Sequence, residues 1–183
     1  MFRRMSMMFA MSYAVVSYAS HTVLNLYRPF VDNPLKSAWN IKGRCLEQSQ
    51  RIQREDAWRC VSDEGAIHDP CFSKRFGSDN LVFCSTSPWS KKGEYMVLGT
   101  PLDSRHQQPL DMSRTLPWAI ELTNGERCLS IDSQASYEGL PVHYVCTNEV
   151  NLLGDAHRCA QTWTILRHDY HSVSQVDISK VWF

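Results

Sequence analysis

The chain has 183 residues, 43% of them hydrophobic, and balances 19 basic against 19 acidic side chains to a formal charge of zero. That length and apolar content suit one ordinary domain with a real core and argue against disorder. The charges are interspersed, with no basic stripe to neutralise phosphates and no acidic tail, so nucleic acid is excluded as an expected partner.

At the start of the chain, Arg3 and Arg4 precede an uncharged run from Met5 to Ala19 that ends in the small-x-small pattern Ser17-Tyr18-Ala19. The run is shorter than the roughly 20 residues that span a bilayer. It predicts a cleaved export signal over residues 1–19 rather than an anchor. Its removal takes two arginines and no acid, a change too small to imply a partner. The expected product is secreted or periplasmic and does not span the membrane after cleavage.

Residues 20–43 lack strong periodicity and carry Pro29 and Pro34, so they read as a leader or linker that lies on the domain or is mobile. The disulfide-stabilised β domain is placed at 44–183. Within it, LVFC (81–84) and EYMVLGT (94–100) are short β-rich runs. The clearest local signal is PWAIELTNGERCLSI: Trp118, Ile120 and Leu122 alternate with Ala119 and Glu121, and Asn124-Gly125 supplies a hairpin tip. VHYVC (142–146), TWTILR (162–167) and VDISKVWF (176–183) continue the series of strands, while SRHQQPLDMSR (104–114) reads as a polar surface loop. In the last run Lys180 shares a face with Val176, Ile178 and Trp182, which predicts an edge strand or a kink near its end. The expected fold is mostly β: a small, single-domain, disulfide-stabilised sheet or a sandwich- or barrel-like arrangement of short antiparallel strands.

All seven cysteines lie downstream of the export signal, where disulfides persist. Six can pair and one is left over, and six allow about 15 connectivities. Spacing favours sequential pairing: Cys45 with Cys60, Cys71 with Cys84, and Cys128 with Cys146. Each short loop so closed is worth roughly 3 kcal/mol in the chain-entropy account. Cys159 is then the free thiol.

Several constellations invite a chemical reading. His157, Cys159, His168 and His171 are ligand types for zinc or copper, but the thiolate stands alone and paired ligands at regular spacing are missing. A nucleophilic Cys159 would take His157 or His168 as its base, without any recognisable nucleophile signature around it. No G-x-S-x-G elbow, glycine-rich phosphate loop or H-E-x-x-H occurs, so no catalytic residues are assigned and no cofactor is expected. Asp56 and Asp69 are the carboxylates nearest in type to a glycosidase pair, although Asp69-Pro70 reads as a turn whose carboxylate bonds local backbone. Among six tryptophans, most are expected to pack over disulfides, with Trp58 set against the first bridge. Trp89 and Trp163 are the candidates for contacting a ligand.

The motifs GRC (43–45), DAWRC (56–60), IHDPCF (67–72), LPWAIELTNGERC (116–128), YVC (144–146) and the ending VDISKVWF together resemble a family of uncharacterised exported proteins best known from actinobacteria. Some of its members are lipid-anchored and some are attached to larger membrane proteins. The resemblance spans residues 43–183 and implies a secreted disulfide domain without an established activity; the expected role of this chain is binding or envelope association, with an envelope protein or a glycan as partner. This chain departs from it by lacking a lipid-attachment cysteine and by carrying the leader and Cys159. A second resemblance is local: CLSIDSQASYEGLPVHYVCTNE followed by QTW is similar to one repeat of a ricin-type β-trefoil lectin, which implies a sugar site. A trefoil needs three repeats, and neither a second Q-x-W nor an internal period is present.

Overall fold

The computed structural model describes residues 21–32, 38–74, 79–90 and 92–183, so the expected export signal at 1–19 lies outside the described residues. The fold is mostly β, as expected, and is built from two closed sheets. In the first, β2 (Ala38–Gln48), β3 (Ala57–Ser62), β4 (Ile67–Ser73), β5 (Leu81–Ser85) and β6 (Gly93–Leu98) form a closed barrel. Neighbours run antiparallel until β6 meets β2, and that closing pair is parallel. An up-and-down ring with an odd number of strands must contain one such pair.

The second sheet comprises β7 (Ala119–Leu122), β8 (Arg127–Ser130), β10 (Leu140–Cys146), β11 (Asn151–His157), β12 (Trp163–His168) and β13 (Val173–Trp182). Pairing of β13 back onto β7 closes the path, and the two-residue β9 (Ser136–Tyr137) is a spur on β10. The predicted hairpin is present. Gly125 takes φ +86 between β7 and β8, a value that L side chains avoid, and the Glu126 N–H donates to Asn124 Oδ1 at 3.0 Å.

The oddity of Lys180 is resolved by a register shift between Ile178 and Lys180, which lets Ile178 and Val181 both point into the core three residues apart. Lys180 is left outside, where its Nζ meets Glu121 Oε1 at 2.6 Å. The strand is thus kinked and is not an edge, since it pairs with both β12 and β7.

The described residues of the expected leader, 21–32 and 38–43, take part in the fold. β1 (Val23–Asn25) runs parallel to the end of β13, Tyr27 is buried, and β2 begins at Ala38, so a boundary at 44 cuts through a barrel strand. Sequence periodicity missed this because three paired residues are too few to show a period.

All three sequential disulfides form, with separations of 15, 13 and 18 residues, and each joins directly opposed residues of two antiparallel strands. Cys159 is free and exposed. Trp58 packs in the first barrel's core with Cys60, Cys71 and Cys84, and its register partner is Cys71 of the second bridge.

The other apolar cluster fills the second barrel and crosses to Ile52, Ala57 and Phe72 of the first. Tyr27, Phe72 and Trp118 meet there with ring centroids 5.1–5.6 Å apart. The second barrel's core therefore reaches onto the first barrel, while the Trp58 cluster remains a separate core within the first.

Space inside the first barrel is limiting at Gly43, where an added Cβ would lie 2.3 Å from the Val61 carbonyl oxygen and 2.8 Å from Met96 Sδ. The backbone atom cannot swing away as a side chain would. Gly43→Ala is expected to cost about 1–3 kcal/mol, an overpacking penalty. A shift of the urea midpoint with unchanged slope is the measurement; a midpoint equal to wild type would contradict the packing described.

Candidate functional site

Strands β4, β5 and β6 lie side by side, and the register aligns Cys71 with Cys84 and Cys84 with Glu94. The ends of these strands and the loop after β2 form the walls of a groove of about 770 Å³. Its principal side chains are Arg51, Ile67, His68, Asp69, Lys92 and Glu94. The Cys71–Cys84 bridge underlies it and ties two of the three strands together.

Asp69-Pro70 is not the turn expected from sequence. It lies inside β4, at the register shift of the β3–β4 pairing, with a cis peptide bond. Proline lacks the N–H that a ladder needs, so within a sheet it is tolerated at such irregularities. Nor does its carboxylate bond local backbone. Ser49 Oγ donates to one oxygen and the Gln50 N–H to the other at 3.1 Å, while the same Ser49 oxygen accepts from the N–H groups of Arg51 and Ile52. Arg51 Nη1 in turn donates to the Asp69 carbonyl at 3.3 Å. Asp69 thereby organises the loop that carries Arg51.

Burial pushes the Asp69 carboxyl above its ordinary value, and the bonds from Ser49 and Gln50 oppose the shift without cancelling it. A raised carboxyl in a groove is a common mark of a functional site. Here both oxygens are held by protein donors, which suits a positioning role better than proton transfer. Across the groove His68 Nδ1 lies 3.4 Å from Glu94 Oε2. Each groove carboxylate thus has a protein partner.

Apart from Asp69, the candidates named from sequence lie elsewhere. Asp56 makes a bidentate pair with Arg54, at 2.5 and 2.7 Å, and is not brought together with Asp69 by any shared contact. His157 pairs with Thr164 and His168 with Asn151, at opposite ends of the β11–β12 hairpin. Six strand steps separate those ends by about 20 Å. Cys159 accompanies His157 at one end, and His171 lies in the turn beyond His168 at the other. Among the described residues no group of three His, Cys, Asp or Glu side chains could hold a metal ion.

Trp89 is half-buried, edge-to-face with Trp182 at 5.1 Å and with the Arg127 guanidinium 5.3 Å from its ring centre. Trp163 carries Arg158 at 4.9 Å, and Arg158 is anchored on the Met112 and Thr115 carbonyls. One face of each ring is occupied, which leaves less room for a stacked sugar. The segment that resembles a lectin repeat belongs to a ring of consecutive up-and-down strands rather than to one of three repeats.

Arg51, His68, Lys92 and Glu94 were not distinguished by sequence. The only signal was IHDPCF itself, an alternation that a proline interrupts. Among the described residues, no helix is long and apolar enough to cross a membrane. The chain matches no family model, no curated protein and no solved structure.

Proposed function

We propose that this chain is an exported protein of the secreted or periplasmic space that works by binding, alone or as an envelope component, with the β4–β6 groove as its ligand site. The observation that carries this is a rigid, disulfide-backed groove whose carboxylates are each engaged by neighbouring protein groups. Such a lining offers oriented donors and acceptors. Three disulfides in an oxidising compartment and the uncharged segment at 5–19 support export. The resemblance to exported actinobacterial proteins points the same way and makes membership of that family part of the proposal.

Ile67 is 60% exposed on the groove wall, so Ile67→Arg fills the groove without disturbing the core. The test exposes the exported full chain to a panel of peptides, saccharides and nucleotides, reading thermal shift and the mass of the recovered compound. A compound that stabilises wild type, fails to stabilise Ile67→Arg and is recovered unchanged supports the proposal. Chemical conversion of the compound, or hits that Ile67→Arg retains in full, would refute it. N-terminal sequencing of the exported product should begin at Ser20.

A further inference from the structure

Arg51 lines two depressions. Besides the β4–β6 groove it borders a smaller one of about 250 Å³ where the barrels meet, shared with Arg114, Thr115, Ser130 and His143 and with the amides of Gln50 and Gln53. The two therefore share Arg51 in their walls.

Their electrostatics differ. The β4–β6 groove mixes signs: Arg51 and Lys92 face Asp69 and Glu94. The inter-barrel depression is lined by Arg51 and Arg114 and by no acid. Arg51 makes no ion pair with a carboxylate among the described residues, its guanidinium being placed by the Asp69 carbonyl at 3.3 Å and its own carbonyl held by Ser130 Oγ at 3.3 Å. Arg114 has only a long contact of 3.8 Å to Asp111, with its side chain 88% exposed. Neighbouring His143 places Nδ1 3.3 Å from Asp155, without a hydrogen bond to it, and that nitrogen is shielded from solvent. Lys92, at the far end, has no side-chain partner among the described residues.

From this arrangement we infer that the two depressions together bind an anionic saccharide, its carboxylate or sulfate held between Arg51 and Arg114 and its hydroxyls in the β4–β6 groove. The inference rests on the groove being the ligand site. Carboxylates, imidazole and hydroxyls in mixed array suit sugar hydroxyls, which both donate and accept. Two arginines, one without a close ion pair and one with only the long contact to Asp111, suit an oxyanion, because planar N–H forks match its geometry. No aromatic ring of Phe, Tyr or Trp lines either depression, so neither a nucleobase nor a sugar face finds a stacking platform, and recognition rests on polar contacts. Carboxylated and sulfated sugars present the same anionic chemistry.

Isothermal titration of the full, oxidised chain decides the matter. The probes are an oligogalacturonate, a sulfated oligosaccharide, a neutral cello-oligosaccharide, inorganic sulfate and a single-stranded oligonucleotide. One of the two anionic oligosaccharides should bind at least about tenfold more tightly than the neutral one, and which of them does so identifies the anion. Arg114→Gln should remove about tenfold of that affinity, the loss of one charge-assisted contact. Ile67→Arg should abolish saccharide binding while leaving the melting temperature of the free protein unchanged.

Equal binding of the neutral sugar, no effect of Arg114→Gln, or preference for the oligonucleotide or for sulfate alone would each overturn the inference. Failure of every saccharide on wild type would overturn it too. A ligand of another class lost in Ile67→Arg would still uphold the groove as a binding site, so the two failures are distinguishable.

Discussion

Replacing Arg54 with alanine is expected to destabilise the protein by about 3–5 kcal/mol, the range for breaking a buried ion pair from one side. Arg54 is only 5% exposed, yet it carries a full charge. Its Nε and Nη2 fork onto Asp56, and Nη1 donates to the Tyr27 carbonyl at 2.7 Å and the Phe183 carbonyl at 2.9 Å. Its plane lies over Phe72, 5.0 Å from the ring centre. Truncation takes the fork from the Asp56 carboxylate, the guanidinium donor from the Tyr27 carbonyl and one of two donors from the Phe183 carbonyl, and a buried acceptor left without its donor costs more than the bond was worth.

Arg54 also joins segments remote in sequence, since β1 leads into Tyr27, β13 ends beside Phe183, and Asp56 immediately precedes β3. Lysine cannot reproduce a planar fork, so Arg54→Lys should recover less than half of the loss. Urea unfolding followed by tryptophan fluorescence measures both variants. A loss below about 1 kcal/mol for Arg54→Ala would show that the clasp is not structural, because typical single hydrogen bonds contribute that much.

The second large effect is expected at the Cys128–Cys146 bridge. Both cysteines are buried in the cluster that fills the second barrel and reaches onto the first, and they tie β8 to β10 across the β9 excursion. Cys128→Ala with Cys146→Ala removes a closed loop worth roughly 3 kcal/mol and loses sulfur packing as well, so a total of about 3–5 kcal/mol is expected. Cys159 is exposed and unbridged, and Cys159→Ser should change stability by less than about 0.5 kcal/mol. Melting curves with and without a reductant provide the check. Wild type and Cys159→Ser should lose the same stability on reduction, and a double alanine variant as stable as wild type would count against the bridge's contribution.

Much of the local structure was legible. The Asn124-Gly125 hairpin needs only alternation and a residue at ease with positive φ, both local properties. Sequential disulfide pairing was legible for a related reason: consecutive antiparallel strands place cysteines opposite one another across short connections. The anomaly at Lys180 announced an edge or a kink, because a polar residue on an apolar face must either be exposed or change face, and the register shift supplies the kink.

The candidate site was far less legible. His68 and Glu94 come from β4 and β6, which are not neighbours in the sheet, and Arg51 comes from a loop whose conformation depends on Ser49 reaching a carboxylate 20 residues away. Asp69-Pro70 misled, since the dipeptide is a turn signal wherever the chain is free to turn. Inside β4 the neighbouring strands hold it extended, and a register shift accommodates the missing donor. Likewise His157, Cys159, His168 and His171 are close in sequence but divide between the two ends of a hairpin, because an extended strand carries residues apart as quickly as a chain can.

By itself the sequence determined the strand-rich character and the hairpin tip and favoured the sequential pairing of the cysteines, since each depends on composition or on spacing within a few tens of residues. Closure of the two barrels, through β2 with β6 and β13 with β7, was decided only by the tertiary structure. So were the incorporation of residues 23–25 as a strand, the Arg54 clasp, and the placing of Arg51 in the walls of two depressions. These depend on contacts between distant segments, whose loop-closure cost is offset only when the whole core assembles, and no local pattern encodes that sum.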